Sequence, residues 1–431
     1  MKAIRNSRIK YKFKEKKFLS ISFLLLCILF NASAQNQMMQ LSLVDAENIF
    51  LKNNLLLLAQ QYNISAKQAL IIQAKTIPNP VFNVDLNVYD PQNKKTFHID
   101  SSGQKSFQIQ QLILLGGKRK IEIDIAKQNK ILAEAEFTDL LSRLRTQLHQ
   151  YFFNVNSEKI VIENYIKQLN VLDTIIDEYK VQANKGNLPL KDVIRLKSVY
   201  IKLNADKADL AKEYNENQKQ LKLLLQTNQE IATQVNDESF NNFLVLKPIA
   251  DLQTLATSNR ADLKMADASA MLAALYLKQQ KKQVIPDVAV NGSYDQRGGA
   301  FKNQINAGIT MPIPVFNTNR GNIKAAEFDK KAMDTYLTEK KLEVELDVQQ
   351  AWTNMQRSIN EYLKIKDLYD GQFQMVNEGI RNNFQLRNIS ILEFVDFVEA
   401  FNESLSDFEN TKRQLAQSAA IINYVTASKI Y

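Results

Sequence analysis

The sequence predicts a mainly α-helical protein that also carries a small β part and repeats one plan twice. Three features of the 431-residue chain lead to this prediction. Two very long segments contain almost no glycine or proline, four short segments alternate apolar and polar residues, and the same order of segments recurs about 200 residues later. Long antiparallel coiled-coil helices joined to a few strands are therefore the predicted architecture.

Residues 1–34 have the features of a secretory signal peptide. The first seventeen residues carry eight positive side chains and one negative one, an apolar run follows from Phe18 to Phe30, and Ala32-Ser33-Ala34 supplies a small-residue cleavage pattern. The only cysteine, Cys27, lies inside this segment, so we expect a mature chain without disulfide bonds or thiol chemistry. Without these side chains the formal net charge falls from +9 to +2, which leaves no basic surplus to indicate a nucleic-acid partner.

The two long segments predict helices of unusual length. Residues 118–184, a stretch of 67, contain no glycine or proline, and residues 322–385 contain only Gly371 and Gly379. A helix of 67 residues would reach about 100 Å, whereas helices in globular proteins average about 11–12 residues. Apolar residues in the first segment recur at alternating steps of three and four, the spacing of a coiled coil: Ile162, Tyr165, Leu169, Leu172, Ile176 and Tyr179.

Four shorter segments predict β-strands, at about 81–89, 106–114, 288–294 and 304–311. In the first, Phe82 and Val84 alternate with Asn83 and Asp85, so one face is apolar and the other polar. Each segment runs for about 8–10 residues, close to the length that a tilted membrane strand needs. After the signal peptide no segment reaches about 18 unbroken apolar residues, so the sequence assigns any membrane-spanning role to these strands.

The order of the predicted elements divides the chain into two repeats. A helix over 43–76 leads through Pro80 into a strand pair, the 118–184 helix and a shorter helix. A helix over 252–284 leads through Pro286 into the same succession. The predicted divisions are a first repeat at 35–227, an equatorial linker at 228–259 and a second repeat at 260–431.

The number of predicted strands indicates an oligomer. Four antiparallel strands are too few to close a barrel, and lipid cannot satisfy the hydrogen-bonding groups of an open sheet edge. Three copies would supply twelve strands, an even number with room for a lumen. We therefore predict a homotrimer in which each chain contributes four strands to one twelve-stranded β-barrel.

Several short motifs carry a likeness to a known family. Asn79-Pro80 precedes the first strand, the two predicted hairpin turns lie at Gly186–Val193 and Leu386–Asp396, and Leu114–Arg119 contains a Gly-Gly-Lys-Arg run. Together they resemble the TolC-like outer-membrane factor family over nearly all of the mature chain, and the last motif resembles its heavy-metal (cobalt–zinc–cadmium) branch. The first turn has one residue more than the family's pattern, and Leu386 stands where the family usually has glycine.

This resemblance implies an α-barrel of long helices beneath the β-barrel and a passive channel of the outer membrane. It further implies a tripartite efflux system, with a periplasmic adaptor protein and an inner-membrane RND-type pump as partners, outer-membrane lipid around the strands, and heavy-metal cations as one cargo. The alternative is a periplasmic adaptor (membrane fusion) protein, which would have one hairpin with flanking β-domains. A structural coiled-coil protein of the envelope is a third interpretation, and the four strands argue against it.

Acidic residues in the second turn are the leading functional candidates. Glu393 and Asp396 are three residues apart and share a helix face, so three copies would ring the narrow periplasmic end and attract cations. The alternative is an ordinary solvated helix start, where acids are favoured. In the first turn, Asp192 and Arg195 are candidates for gating bonds between helices, or else surface residues.

The resemblance also implies where the adaptor and the strand connection lie. Adaptor contact is expected at the hairpin turns, through Gly186, Leu188, Leu190, Arg387, Ile389 and Ile391. Gly116 and Gly117 are expected to form a tight strand-to-helix turn. The sequence offers no catalytic motif, and the histidines of the mature chain, His98 and His149, are far apart, so we expect no enzyme activity, no cofactor and no metal site.

Overall fold

The computed structural model describes residues 38–298, 300–369 and 372–431. The predicted signal peptide at 1–34, with Cys27, lies outside the described residues. Within the described ranges no helix is both long enough and apolar enough to cross a membrane.

Helices make up most of this part of the chain, as the sequence predicted. In chain order they are α1 (Leu43–Asn53), α2 (Leu55–Ala74), α3 (Lys118–Asn184), α4 (Leu190–Leu225), α5 (Ile249–Asn259), α6 (Ala261–Gln283), α7 (Arg320–Leu368), α8 (Gln372–Gln385) and α9 (Ile391–Thr426). Helix α3 is continuous over 67 residues. It packs along α2, α4, α6 and α9, so it forms the spine of the molecule.

The second long helix differs from its prediction. A single helix over 322–385 is wrong, because α7 ends at Leu368 and α8 begins at Gln372. Tyr369 leaves the helix with φ −94° and ψ 65°, and its ring stacks on Phe408 of α9 at 4.5 Å and on Phe373 at 4.8 Å. Burying this ring favours the break, and glycine at 371 lowers the local helix preference by about 1 kcal/mol.

The two shorter helices before the strands are also broken. The predicted 43–76 helix is divided at Asn54, whose side-chain oxygen accepts hydrogen bonds from the Leu56 and Leu57 amides at 3.1 and 3.2 Å. The predicted 252–284 helix is divided at Arg260, whose guanidinium pairs with carboxylates of Asp262 and Asp347 at 2.7 and 2.8 Å. Both residues adopt extended conformations that end one helix and start the next.

The four predicted strands form one antiparallel sheet. The strands of the described residues are β1 (Met39–Leu41), β2 (Val81–Leu86), β3 (Tyr89–Asp90), β4 (Lys95–Thr96), β5 (Gln104–Ile113), β6 (Ile231–Thr233), β7 (Val288–Arg297) and β8 (Phe301–Thr310). The large sheet has the order β2-β5-β7-β8. Strands β1 and β6 pair in parallel, and β3 and β4 form a small hairpin in the loop between β2 and β5.

The register of the large sheet preserves the predicted alternation. Val84 is opposite Phe107, Phe107 is opposite Tyr294, and Tyr294 is opposite Ile305. The rings of Phe107 and Tyr294 lie 6.2 Å apart, so this row occupies one face. Ile305 is 86% exposed and Phe82 is 64% exposed, so the apolar face of the sheet has nothing packed on it within the protomer.

The same succession of elements occurs twice. Two helices, a strand pair and a long helical hairpin are formed by α1 to α4 with β2 and β5, and again by α5 to α9 with β7 and β8. Between them, the predicted linker contains β6, a 3-10 helix at Asp237–Phe243 and the start of α5. Separate apolar cores lie near Phe240, near Phe152, and at the far ends of the hairpins near Phe394.

Candidate functional site at the hairpin tips

The far ends of the two helical hairpins pack side by side, and we call residues 179–196 and 380–398 the hairpin tips. Tyr179 of α3 stacks on Phe384 of α8 at 5.6 Å, and Phe384 stacks on Phe394 of α9 at 4.1 Å. Phe384 and Phe394 are each only 2% exposed. The structure thus brings the two predicted turns together around one aromatic stack.

The first turn follows directly from its glycine and proline. Helix α3 ends at Asn184, and Gly186 adopts φ +76°, a left-handed conformation that glycine tolerates. Helix α4 begins at Leu190, after Pro189 has fixed an extended entry. Leu190 is 67% exposed, whereas Leu188 is half-buried and lines a cleft shared with Phe384 of the second hairpin.

Asp192 and Arg195 are in different surroundings. Asp192 is half-buried in the first turn of α4, and its negative charge, after burial, raises the pKa of Tyr179. Arg387 of the second turn acts on the pKa of Tyr179 in the opposite direction. Arg195 is exposed. The structure therefore places Asp192, but not Arg195, at the contact between the two turns.

The second turn uses Arg387 where the family resemblance would place a glycine one residue earlier. Arg387 has φ +62°, and the preceding Leu386 is 71% exposed. Ile389 and Ile391 are half-buried and pack against the apolar core of the hairpin tips. This turn therefore combines a left-handed backbone residue, an exposed leucine and two isoleucine anchors.

The two candidate acids lie together on an exposed face of α9. The Glu393 carboxylate accepts the backbone N–H of Ser390 at 2.7 Å, and the Ser390 hydroxyl oxygen accepts the backbone N–H of Glu393 at 3.3 Å. This reciprocal helix cap lowers the pKa of Glu393, so its carboxylate stays ionised. Asp396, one turn along the same face, is also exposed and free of such a capping task.

The Gly116-Gly117 turn joins the two repeats. The backbone N–H of Leu115 donates to Asp287 at 2.9 Å, and the Lys118 ammonium pairs with the other oxygen of that carboxylate at 2.8 Å. Gly116 has φ +68°, and a Cβ on it would lie 2.7 Å from the side chain of Ile285. The Gly-Gly-Lys segment is thus a structural clasp between the start of α3 and the entry to β7.

Sequence reasoning missed a buried carboxylate in the middle of the molecule. Glu158 of α3 is 3% exposed, and one of its oxygens accepts a hydrogen bond from Asn217 of α4 at 2.7 Å. The other oxygen has no hydrogen-bond partner within the described ranges. Burial raises the pKa of Glu158 to about 7. Its position, four residues before Ile162 on the heptad seam, was the signal that could have revealed it.

The two histidines occupy separate local networks. His98 lies in the loop between β4 and β5, with its ring nitrogens 2.6 Å from Asp90 and 3.0 Å from Ser102. His149 of α3 contacts Glu47 of α1 at 2.6 Å. In the part of the chain that the structure describes, no three metal-binding side chains of the His, Cys, Asp and Glu types gather in one place.

Comparison with known proteins decides the family. The structure resembles the Campylobacter jejuni outer-membrane channel CmeC, with a TM-score of 0.73, 12% identity, and coverage of 90% of this chain and 86% of that one. It also resembles the transmembrane channel CusC, with a TM-score of 0.72, 16% identity, and coverage of 90% and 92%. Residues 252–364 match the family model described as "Outer membrane efflux protein".

The chain belongs to the outer membrane efflux protein family. This efflux protein is 24% identical over 308 residues to the cobalt-zinc-cadmium resistance protein CzcC of Cupriavidus metallidurans, a match that covers 69% of each chain. It is a channel of the outer membrane with a periplasmic helical extension, and it is not an enzyme. The adaptor alternative is set aside, because the efflux family and the TolC-like fold account for both hairpins and the four-stranded sheet.

Proposed function

We propose that three copies of this chain form the passive exit duct of a tripartite efflux system. The observation that carries the proposal is the pair of open edges on the large sheet. Strands β2 and β8 each pair on one side only, and the apolar face of the sheet is exposed. Open edges are not tolerated in lipid, so β8 of one protomer pairs with β2 of the next until twelve strands close.

The helices supply a second set of faces for subunit packing. Large apolar side chains are exposed along α2 and α7, where a single protomer offers nothing to cover them: Leu55, Leu56, Tyr62, Leu70, Phe328, Tyr336, Leu342 and Leu346. A neighbouring copy that buried these side chains would stabilise an α-barrel by about 25 cal/mol for each Å² of apolar area removed from water. The same head-to-tail contact would close the helical and the strand parts together.

The hairpin tips support a docking role for a periplasmic adaptor. Leu190 and Leu386 are 67% and 71% exposed, and Leu392 beside them is 45% exposed. These three side chains project from turns that are themselves anchored by the aromatic stack. An adaptor seated here would join the duct to an inner-membrane RND-type pump, and that pump would supply the energy that the duct does not need.

Heavy-metal cations are the cargo that we favour. The support is the likeness to a cobalt-zinc-cadmium resistance protein and the Gly-Gly-Lys-Arg run at 116–119. A duct of this kind moves its cargo by diffusion, so selectivity depends on lumen width and charge rather than on a chemical step.

Three measurements test this function. In mild detergent, native mass measurement should give a trimer, and the purified protein should conduct ions in planar lipid bilayers. A strain without this gene should become more sensitive to Co²⁺, Zn²⁺ and Cd²⁺ than to organic drugs. A stable monomer that conducts nothing would contradict the duct, whereas drug sensitivity without metal sensitivity would contradict only the cargo.

A further inference from the structure

The strand register assigns a composition to the polar face of the large sheet. One row across the four strands is Asn83, Gln108, Ser293 and Asn306, and the next row outward is Asp85, Ser106, Asp295 and Gln304. Both rows lie on the face opposite the Phe107–Tyr294 ring pair. The first row is uncharged, and the second places two carboxylates at one height.

The carboxylates of this row are separated by one strand. Asp85 and Asp295 flank Ser106, and two strand spacings put them about 10 Å apart. That distance is too large for one ion to be chelated by both, so they act on passing solutes through their combined field. Lys105, the basic residue nearest along β5, pairs with Leu86 and Gln296 and therefore belongs to the other face.

The two carboxylates are not equally neutralised. Asp295 lies 3.2 Å from the exposed Arg297 through one oxygen, while its other oxygen is shielded and has no hydrogen-bond partner among the described residues. Asp85 makes no ion pair within the described ranges, and its strand is exposed throughout. Asp85 is therefore the stronger source of negative potential in the row.

We propose that Asp85 and Asp295 form a second charge ring in the strand lumen, which makes the outer section of the duct selective for cations over anions. The inference rests on the proposed function, because only a closed trimer turns two carboxylates per chain into a ring of six. Below this ring the wall consists of carboxamides and hydroxyls, which solvate hydrophilic solutes without discriminating between charges. The substrate class implied is small hydrated cations, and the ring is distinct from the acids at the hairpin tips.

The ring can be tested by single-channel recording of the purified trimer under a KCl gradient. Asp85→Asn with Asp295→Asn should lower the potassium-to-chloride permeability ratio by about threefold or more. Hexaamminecobalt(III) added at the exterior mouth should block this variant less than the wild type, while its block from the hairpin end stays unchanged. Asp85→Asn alone, which breaks no ion pair, should shift the ratio in the same direction.

Two controls separate charge from folding. Asp85→Glu with Asp295→Glu keeps the charge and should keep the wild-type ratio. Glu403→Gln with Asp407→Asn removes the same number of carboxylates from the groove between α4 and α9 and should leave exterior block intact. Equal ratios and equal exterior block in the wild type and the Asn variants would overturn the ring. A wild-type protein that did not conduct would instead overturn the proposed duct.

Discussion

Single side chains at the hairpin tips combine a folding task with a candidate gating task. Glu393 caps α9 through Ser390, so its carboxylate is held in place and ionised. Asp396 lies on the same exposed face without a cap to form. The capping geometry accounts for the alternative interpretation of Glu393 as a helix-start residue, and it leaves the ring of acids in a trimer as a prediction.

Neutralising the tip acids tests that prediction. Glu393→Gln with Asp396→Asn should lower cation selectivity and weaken block by multivalent cations from the hairpin end, because three copies would lose six negative charges at the constriction. Glutamine can still accept the Ser390 N–H, so stability should change by less than about 0.5 kcal/mol. Glu403→Gln with Asp407→Asn, further along α9, is the control. Identical recordings from both variants would show that the tip acids are only a solvated face.

Glu158 gives the molecule a pH dependence of predictable sign. Its pKa is raised to about 7 in the folded protein from 4.5, because burial opposes the charged form. The stability that it contributes is therefore present below about pH 4.5 and is lost as pH rises through 7, by up to about 3 kcal/mol. Glu158→Gln should raise the thermal midpoint of the solubilised protein at pH 8 and have little effect at pH 5.

Two features frame the Glu158 measurement. Glu213→Gln, at an exposed position on the neighbouring α4, is the matched control and should leave the pH profile unchanged. Arg413 of α9 lowers the pKa of Glu158 and Glu213 raises it, but both effects are smaller than that of burial. Parallel pH profiles for the wild type and Glu158→Gln would count against a protonated buried carboxyl.

Among the elements, the strand-to-helix turn at Gly116-Gly117 makes the sharpest prediction. Both glycines have positive φ, so alanine at either costs about 1–2 kcal/mol of strain. Only at position 116 would the new Cβ also collide with Ile285, while position 117 is open. Gly116→Ala should therefore lower the thermal midpoint more than Gly117→Ala, and equal losses would contradict the clasp.

The elements also show which parts of the fold the sequence could predict. Heptad spacing and the lack of glycine and proline located α3, and period-2 alternation located the large sheet, because both patterns are repeated over many residues. The breaks at Asn54, Arg260 and Tyr369 depend on single side chains that cap or stack on distant partners, so no local pattern marked them. Glu158 was missed for the same reason, since its burial depends on contacts between helices.

For the candidate site, the sequence located the two turns but not their relation. Turn residues such as Gly186 and Ser390 act locally, so their positions could be read from motifs. The stacking of Tyr179 on Phe384 joins residues 205 positions apart, and only the packing of both hairpins brings them together. The separation of Asp192 from Arg195 likewise depends on which face of α4 meets the second hairpin.

At the scale of the whole molecule, a single protomer is incomplete. It has two open sheet edges, an uncovered apolar sheet face and apolar residues along its outer helices. Lipid can cover the sheet face, but it cannot hydrogen-bond to the backbone at the edges. Closure with two further copies satisfies all of these groups at once, and it is the claim on which the duct, the tip ring and the strand-lumen ring depend.

Cysteine cross-linking across the sheet edges tests that claim most directly. Val84→Cys on β2 is combined with Ile305→Cys, Ala307→Cys or Ile309→Cys on β8, and Ile109→Cys on the interior strand β5 replaces Val84→Cys as the control. The only native cysteine lies in the predicted signal peptide, so no other thiol should interfere. The account predicts that at least one β2–β8 pair gives disulfide-linked dimers and trimers in intact membranes, and that the β5 control gives none. Monomers alone for every β2–β8 pair, or equal cross-linking by the β5 control, would contradict it.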